Sequence, residues 1–206
     1  MNFPYGAALA LGLLTAAPAG ALPLLSEVFY DASGADDGQS FVELAGTPGA
    51  SLDGLVIEGV NGSNGSVTHS LVLTGTFGGD GLFVVADQMS DGTTLVAGAD
   101  LLLNFDFQNG PDSVVLRNGG GVVDALAYGV FGAGEVSAGE GTPAPDVPAG
   151  DSLARLFANV DTDDNASDFV GGAPTPGVAT FAVPEPTGAT LLGLGLLGLA
   201  RAGRRR

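Results

Sequence analysis

Apolar residues in this chain fall into short blocks separated by Gly, Pro, Asp and Asn. The blocks cover residues 24–30, 40–44, 55–58, 68–73, 81–86, 113–116 and 122–128. They recur roughly every dozen residues, which is the rhythm of an all-β sandwich or barrel. Between them stand the turn dipeptides Asp37-Gly38, Asp53-Gly54, Asn61-Gly62, Asn64-Gly65, Asp91-Gly92 and Asn118-Gly119. The pattern predicts seven or eight strands in an antiparallel β-sandwich. In Phe41-Val42-Glu43-Leu44 the alternation places Val42 and Leu44 on the core face and Glu43 on the outward face. The stretch from Arg117 to Gly121 reads as a hairpin turn joining 114–116 to 122–123.

The two ends follow a different pattern. Residues 7–14 form an apolar run of signal-peptide length, and Ala19-Gly20-Ala21 puts small residues at the positions a signal peptidase reads. Cleavage is therefore expected after Ala21, although the first residues carry no Lys or Arg. At the other end Val183-Pro184-Glu185-Pro186 precedes a Gly/Leu run over 187–200, and the chain closes on Arg201, Arg204, Arg205 and Arg206. As a helix that run would reach about 21 Å. It falls short of a hydrocarbon core of about 30 Å unless the flanking arginines snorkel. The arginines belong on the cytoplasmic side. The expected organisation is a signal peptide at 1–21, a domain at 22–182 and a tail at 183–206, with a signal helix and a short transmembrane helix flanking the sandwich.

Composition sharpens this picture. The chain has 206 residues, 35 of them Gly, and no Cys. All six of its basic residues are Arg. An exported protein without Cys has no disulfide framework, thiol chemistry or Cys-ligated zinc. The single histidine, His69, excludes a multi-histidine site within one chain. Between the expected cuts 22 acids face only Arg117 and Arg155, a balance of −20. So acidic a domain repels nucleic acid and anionic lipid and attracts cations.

Proline-glutamate-proline, apolar run and arginine cluster, in that order at the C-terminus, resemble the PEP-CTERM sorting signal of exopolysaccharide-producing Gram-negative bacteria. The resemblance implies an exosortase-type enzyme cutting near Pro184 to Pro186, transient anchoring in the inner membrane, and a final place on the cell surface or in the extracellular matrix. Possible partners are then exopolysaccharide or other surface proteins. The middle of the chain resembles lamin-tail domains. The features are Ser26-Glu-Val-Phe-Tyr30, then Phe41-Val-Glu-Leu44, Ser51-Leu-Asp-Gly54, Gly81-Leu-Phe-Val-Val85, and Val122 to Tyr128 with Asp124 and Tyr128 in the family's usual places. Gly150 to Arg155, Asp161 to Asn165, Asp168-Phe169 and Pro174 to Gly177 are similar to the closing segment of bacterial members. Ala45-Gly46 departs from the Asn that usually follows the Glu-Leu pair. The resemblance implies an immunoglobulin-like sandwich used for binding or display, with no catalytic role.

Three chemistries compete for the domain. Asp161, Asp163 and Asn165, with Asp168 beyond, space oxygens as at the start of a calcium loop. Ala166 and Gly172 stand where that loop needs Gly and Glu, so the alternative is a turn whose side chains cap their own backbone. The acids between Asp31 and Asp37 offer a second low-affinity cation site. A cryptic hydrolase would have to use His69 with Ser66 or Ser70, and there is no Gly-x-Ser-x-Gly elbow. No cofactor beyond a possible Ca²⁺ is expected.

Overall fold

The computed structural model describes residues 22–183. The expected signal peptide, with Ala19 and Ala21, and the tail from Pro184 through Glu185, Pro186, Arg204, Arg205 and Arg206 lie outside the described residues, as do the two expected flanking helices. Among the described residues no helix is long and apolar enough to cross a membrane.

The fold is almost entirely β. Ten strands appear in the order β1 (Leu24–Phe29), β2 (Phe41–Ala45), β3 (Leu55–Asn61), β4 (Val67–Val72), β5 (Leu82–Asp87), β6 (Leu101–Leu103), β7 (Asp112–Asn118), β8 (Gly121–Tyr128), β9 (Ser152–Arg155) and β10 (Phe169–Gly172). One short helix, α1 (Asn165–Asp168), precedes β10. They build a six-stranded sheet, β10-β9-β1-β2-β5-β6, and a four-stranded sheet, β4-β3-β7-β8. All neighbours are antiparallel except β5 and β6, which run parallel. The seven expected blocks are all strands. β6, β9 and β10 are additions that the apolar pattern does not show.

The two sheets share one core, a sandwich-like arrangement. Leu25, Val28, Val42, Leu44, Val85 and Leu153 from the larger sheet meet Ile57, Leu71, Val114, Leu116 and Leu126 from the smaller. Leu25 and Val28 are three apart yet face the same core, because the register with β2 shifts between Leu25 and Glu27. Tyr30 and Tyr128 stack across the core with ring centroids 4.1 Å apart. Each keeps its hydroxyl bonded, Tyr30 to Asp146 Oδ1 and Tyr128 to the carbonyl of Gln108, as buried phenols require. The β7–β8 hairpin closes through Gly119 and Gly120, both at positive φ. That pair of left-handed residues matches the twist of the flanking strands.

Strands β1, β2 and β5 are buried on both faces, which is why they read as nearly continuous apolar runs. Val96, Ala99 and Leu102 cover Phe29, Phe41, Val84 and Ala86 on the outer face. Ala158 and Ala179 cover Ala45 and Leu82. Glu43 does lie on the face opposite Val42 and Leu44, but it is fully buried rather than solvent-facing. The reason is a strap, residues 174–182, that crosses this face. Gly177 N donates to Glu43 Oε2 (2.6 Å), and the cross-strand neighbour Glu27 takes Thr175 N and Thr175 Oγ1 (2.9 Å each).

Candidate functional site

The densest chemistry gathers where β1, β8, β9 and α1 meet, around the buried guanidinium of Arg155. At the β1 bulge, β9 no longer pairs with β1, and the Arg155 side chain takes over. Its Nε donates to the carbonyl of Leu25 (2.9 Å), and the amide of Leu25 donates to Asp124 Oδ2 (2.6 Å). Nη2 of Arg155 donates to both oxygens of Asp124 (2.9 Å each). Nη1 reaches Asp168 Oδ2 (2.6 Å), Val160 O (3.2 Å) and Asp161 Oδ1 (3.4 Å). The guanidinium also lies 4.5 Å from the centroid of the Phe169 ring. Arg155, on the six-stranded sheet, thereby fastens Asp124 of the four-stranded sheet and the end of α1 to one point.

Three carboxylates around this hub, Asp124, Glu140 and Asp161, have oxygens within 4.8 Å of one another. Gly139 permits Glu140 to be there: a Cβ at Gly139 would lie 2.3 Å from the amide nitrogen of Ala127. Oε2 of Glu140 is buried with no hydrogen-bond partner. Burial first, then the charges of Asp124 and Asp161, push the Glu140 carboxyl up from 4.5 to about 8. Burial also raises Asp124, against the pull of Arg155 and the Leu25 amide.

The oxygens expected from sequence to form one loop site divide between different tasks. Asn165 is fully buried and docks on the edge of β8 as a strand residue would. Its Oδ1 accepts from Ala127 N and Glu140 N (2.9 Å each), and its Nδ2 donates to Ala125 O (2.7 Å). Asp168 pairs with Arg155 and accepts from Thr162 N and Thr162 Oγ1. Asp163 is exposed at φ 55°, and its amide donates to Asp161 Oδ1. Of the four, Asp161 is the one whose oxygen is placed with those of Asp124 and Glu140. These three could hold a divalent cation, with Asp124 shared with Arg155. Asp124, Glu140 and the central Arg155 were not among the expected ligands. Asp124 had a signal in the lamin-tail resemblance; Glu140, in an Ala-Gly-Glu-Gly loop, had none.

The acids of 31–37 sit elsewhere. Asp36 and Asp37 line a cleft of about 260 Å³ with His69, Asp87 and Asp106. Asp36 Oδ1 accepts from Ala32 N, and Asp87 takes the amides of Gly38 and Phe105. Burial, then Asp36, raises Asp106. His69 lies on edge strand β4. Its ring nitrogens meet Thr68 Oγ1 (3.3 Å) and the amide of Asp106 (3.4 Å), rather than Ser66 or Ser70.

The raised Glu140 carboxyl makes a pH prediction. The folded state keeps a proton up to about pH 8 that the unfolded chain releases near 4.5. Stability therefore falls as pH rises through this window. Glu140→Gln removes the titration. Its melting temperature should match wild type near the lower limit and exceed it by several degrees above the upper one, solvent screening of this partly exposed loop weakening the full effect of the shift. Parallel melting curves across that window would refute the assignment.

Compared with protein-family models, with curated proteins and with solved structures, the chain matches none.

Proposed function

We propose that the chain is an exported, non-enzymatic surface or matrix protein. Its β-sandwich, of immunoglobulin-like lamin-tail type, serves for binding or display, and its tail is a PEP-CTERM-type sorting signal read by an exosortase-type enzyme. The observation that carries this reading is where the domain ends. The strap runs to Ala182, held by two bonds to Asn159, and Val183 is then 86% exposed. The described chain thus leaves the domain at an exposed residue immediately before Pro184, which supports reading Pro184-Glu185-Pro186 as a processing motif. Intact-mass analysis of the mature extracellular protein tests the proposal. The expected product starts at Leu22 and ends near Pro184 to Pro186; a product that keeps Arg204, Arg205 and Arg206 would overturn it.

A second reading, a Ca²⁺-dependent adhesion or glycan-binding module, is favoured by the unpartnered Glu140 oxygen beside Asp124 and Asp161. A divalent ion there would replace the Glu140 proton, so binding would tighten as pH rises. Millimolar Ca²⁺ above pH 8 should raise the melting temperature of wild type and leave Glu140→Gln unmoved. Equal curves with and without Ca²⁺ would remove this reading.

A further inference from the structure

The chain enters and leaves the domain along one seam. Ala158 N donates to Thr180 O (2.8 Å), and Asn159 and Ala182 exchange two hydrogen bonds. The loop after β9 therefore lies beside the last described residues. Leu22 and Phe181 line one cleft of about 250 Å³. Along this seam Leu22 is 71% exposed, Phe181 36% and Val183 86%, and Phe157, next to Ala158 in the chain, is 45% exposed. No residue from Phe169 to Val183, or from Leu22 to Ser26, is charged. In a domain with a balance of −20, that is a long neutral stretch. Asp161 is the acid that reaches the cleft.

Chain length bounds the distance between this seam and the tail. The apolar run of the tail begins at Thr187, four residues beyond Val183. A fully extended chain spans at most about 3.5 Å per residue, so Thr187 lies within about 14 Å of Val183. If the tail enters a bilayer, the seam is held in or next to the headgroup layer. We infer that the apolar seam around Phe157 and Phe181 is a membrane-contact face, which seats its rings at the headgroup–acyl boundary of neutral lipid. Phe and Leu on an otherwise polar surface insert to that depth, and the acidic remainder is repelled by anionic lipid. The inference rests on the tail acting as an anchor.

The chain contains no Trp, so single-Trp variants report depth without background. The full chain is placed in phosphatidylcholine vesicles containing brominated lipid, which quenches nearby Trp. Leu197→Trp reads the tail and Phe157→Trp the seam. Val130→Trp, beyond Tyr128 at the opposite end of β8 and 88% exposed, is the control. The expected result is loss of emission from Phe157→Trp and Leu197→Trp and none from Val130→Trp. Quenching of Leu197→Trp without Phe157→Trp overturns the contact face and leaves the anchor standing. Quenching of neither overturns both. A Phe157→Trp emission shift that grows with protein concentration, without quenching, assigns the seam to a second copy and also overturns the inference.

Discussion

Replacing Arg155 by Leu is expected to cost the domain about 3–5 kcal/mol, a large part of the stability of an ordinary fold. The substitution leaves Asp124 with no counter-charge at zero exposure and Asp168 with none at 4%. It also frees the carbonyl of Leu25 at the bulge, which has no strand partner on that side. Lys should not substitute. One ammonium cannot reach Leu25 O, both oxygens of Asp124 and Asp168 Oδ2, which the planar guanidinium meets in three directions. The check is the urea midpoint of the mature protein for Arg155→Leu, alone and combined with Asp124→Asn and Asp168→Asn. Because much of the penalty is unpaired buried charge, the triple variant should recover part of it. A single variant costing less than about 1 kcal/mol, within the range of a surface pair, would mean the hub does not hold the sheets together.

The strands that the sequence discloses are those whose side chains report their surroundings. β2 alternates at Val42 and Leu44, and β7 and β8 frame the Gly119-Gly120 turn. The three it conceals fail for separate reasons. β6 has just three residues and takes its place by parallel pairing with β5, which no local pattern encodes. β9 carries a buried arginine where a core residue would be expected, and β10 ends in two glycines. The site was half legible for the same reason. Asp161 and Asp168 were picked out by the spacing of oxygens along one loop, yet that spacing does not set their partners. Asn165 was read as a ligand, but it is occupied as a surrogate strand residue on β8. Glu140 is brought in by the backbone approach that Gly139 allows. Outward orientation of Glu43 was correct as to face. The cover came from the strap, whose Pro-Thr-Pro-Gly sequence carries no apolar signal.

That strap sets the second large effect. Glu27 accepts from Ser152 Oγ (2.5 Å), Thr175 N and Thr175 Oγ1 under complete cover. Glu27→Ala should cost about 1–3 kcal/mol, since it removes an acceptor from the buried Ser152 hydroxyl and unfastens the strap at Thr175, whose donors pass to water. The amides of Thr175 and Gly177 should then exchange with solvent faster than the strand amides, because the strap opens before the sheets do. Glu27→Gln keeps one oxygen for both Thr175 N and Ser152 Oγ, while the Thr175 hydroxyl can rotate to accept from its amide nitrogen, so its cost should stay under about 1 kcal/mol. Glu43 behaves in the opposite sense. Burial raises its carboxyl above 4.5, with Ser26, Gly177 and then Glu27 as lesser influences. Its folded form therefore favours the proton, and wild type gains stability as pH falls through the raised value towards 4.5. In Glu43→Gln the amide can face Ser26 Oγ while the oxygen keeps Gly177 N, so both bonds survive without the charge. The variant should be the more stable protein at neutral pH and lose that advantage in acid. A Glu43→Gln chain less stable than wild type at neutral pH would show that the strap needs the charge itself, and that the two buried glutamates are more than hydrogen-bond acceptors.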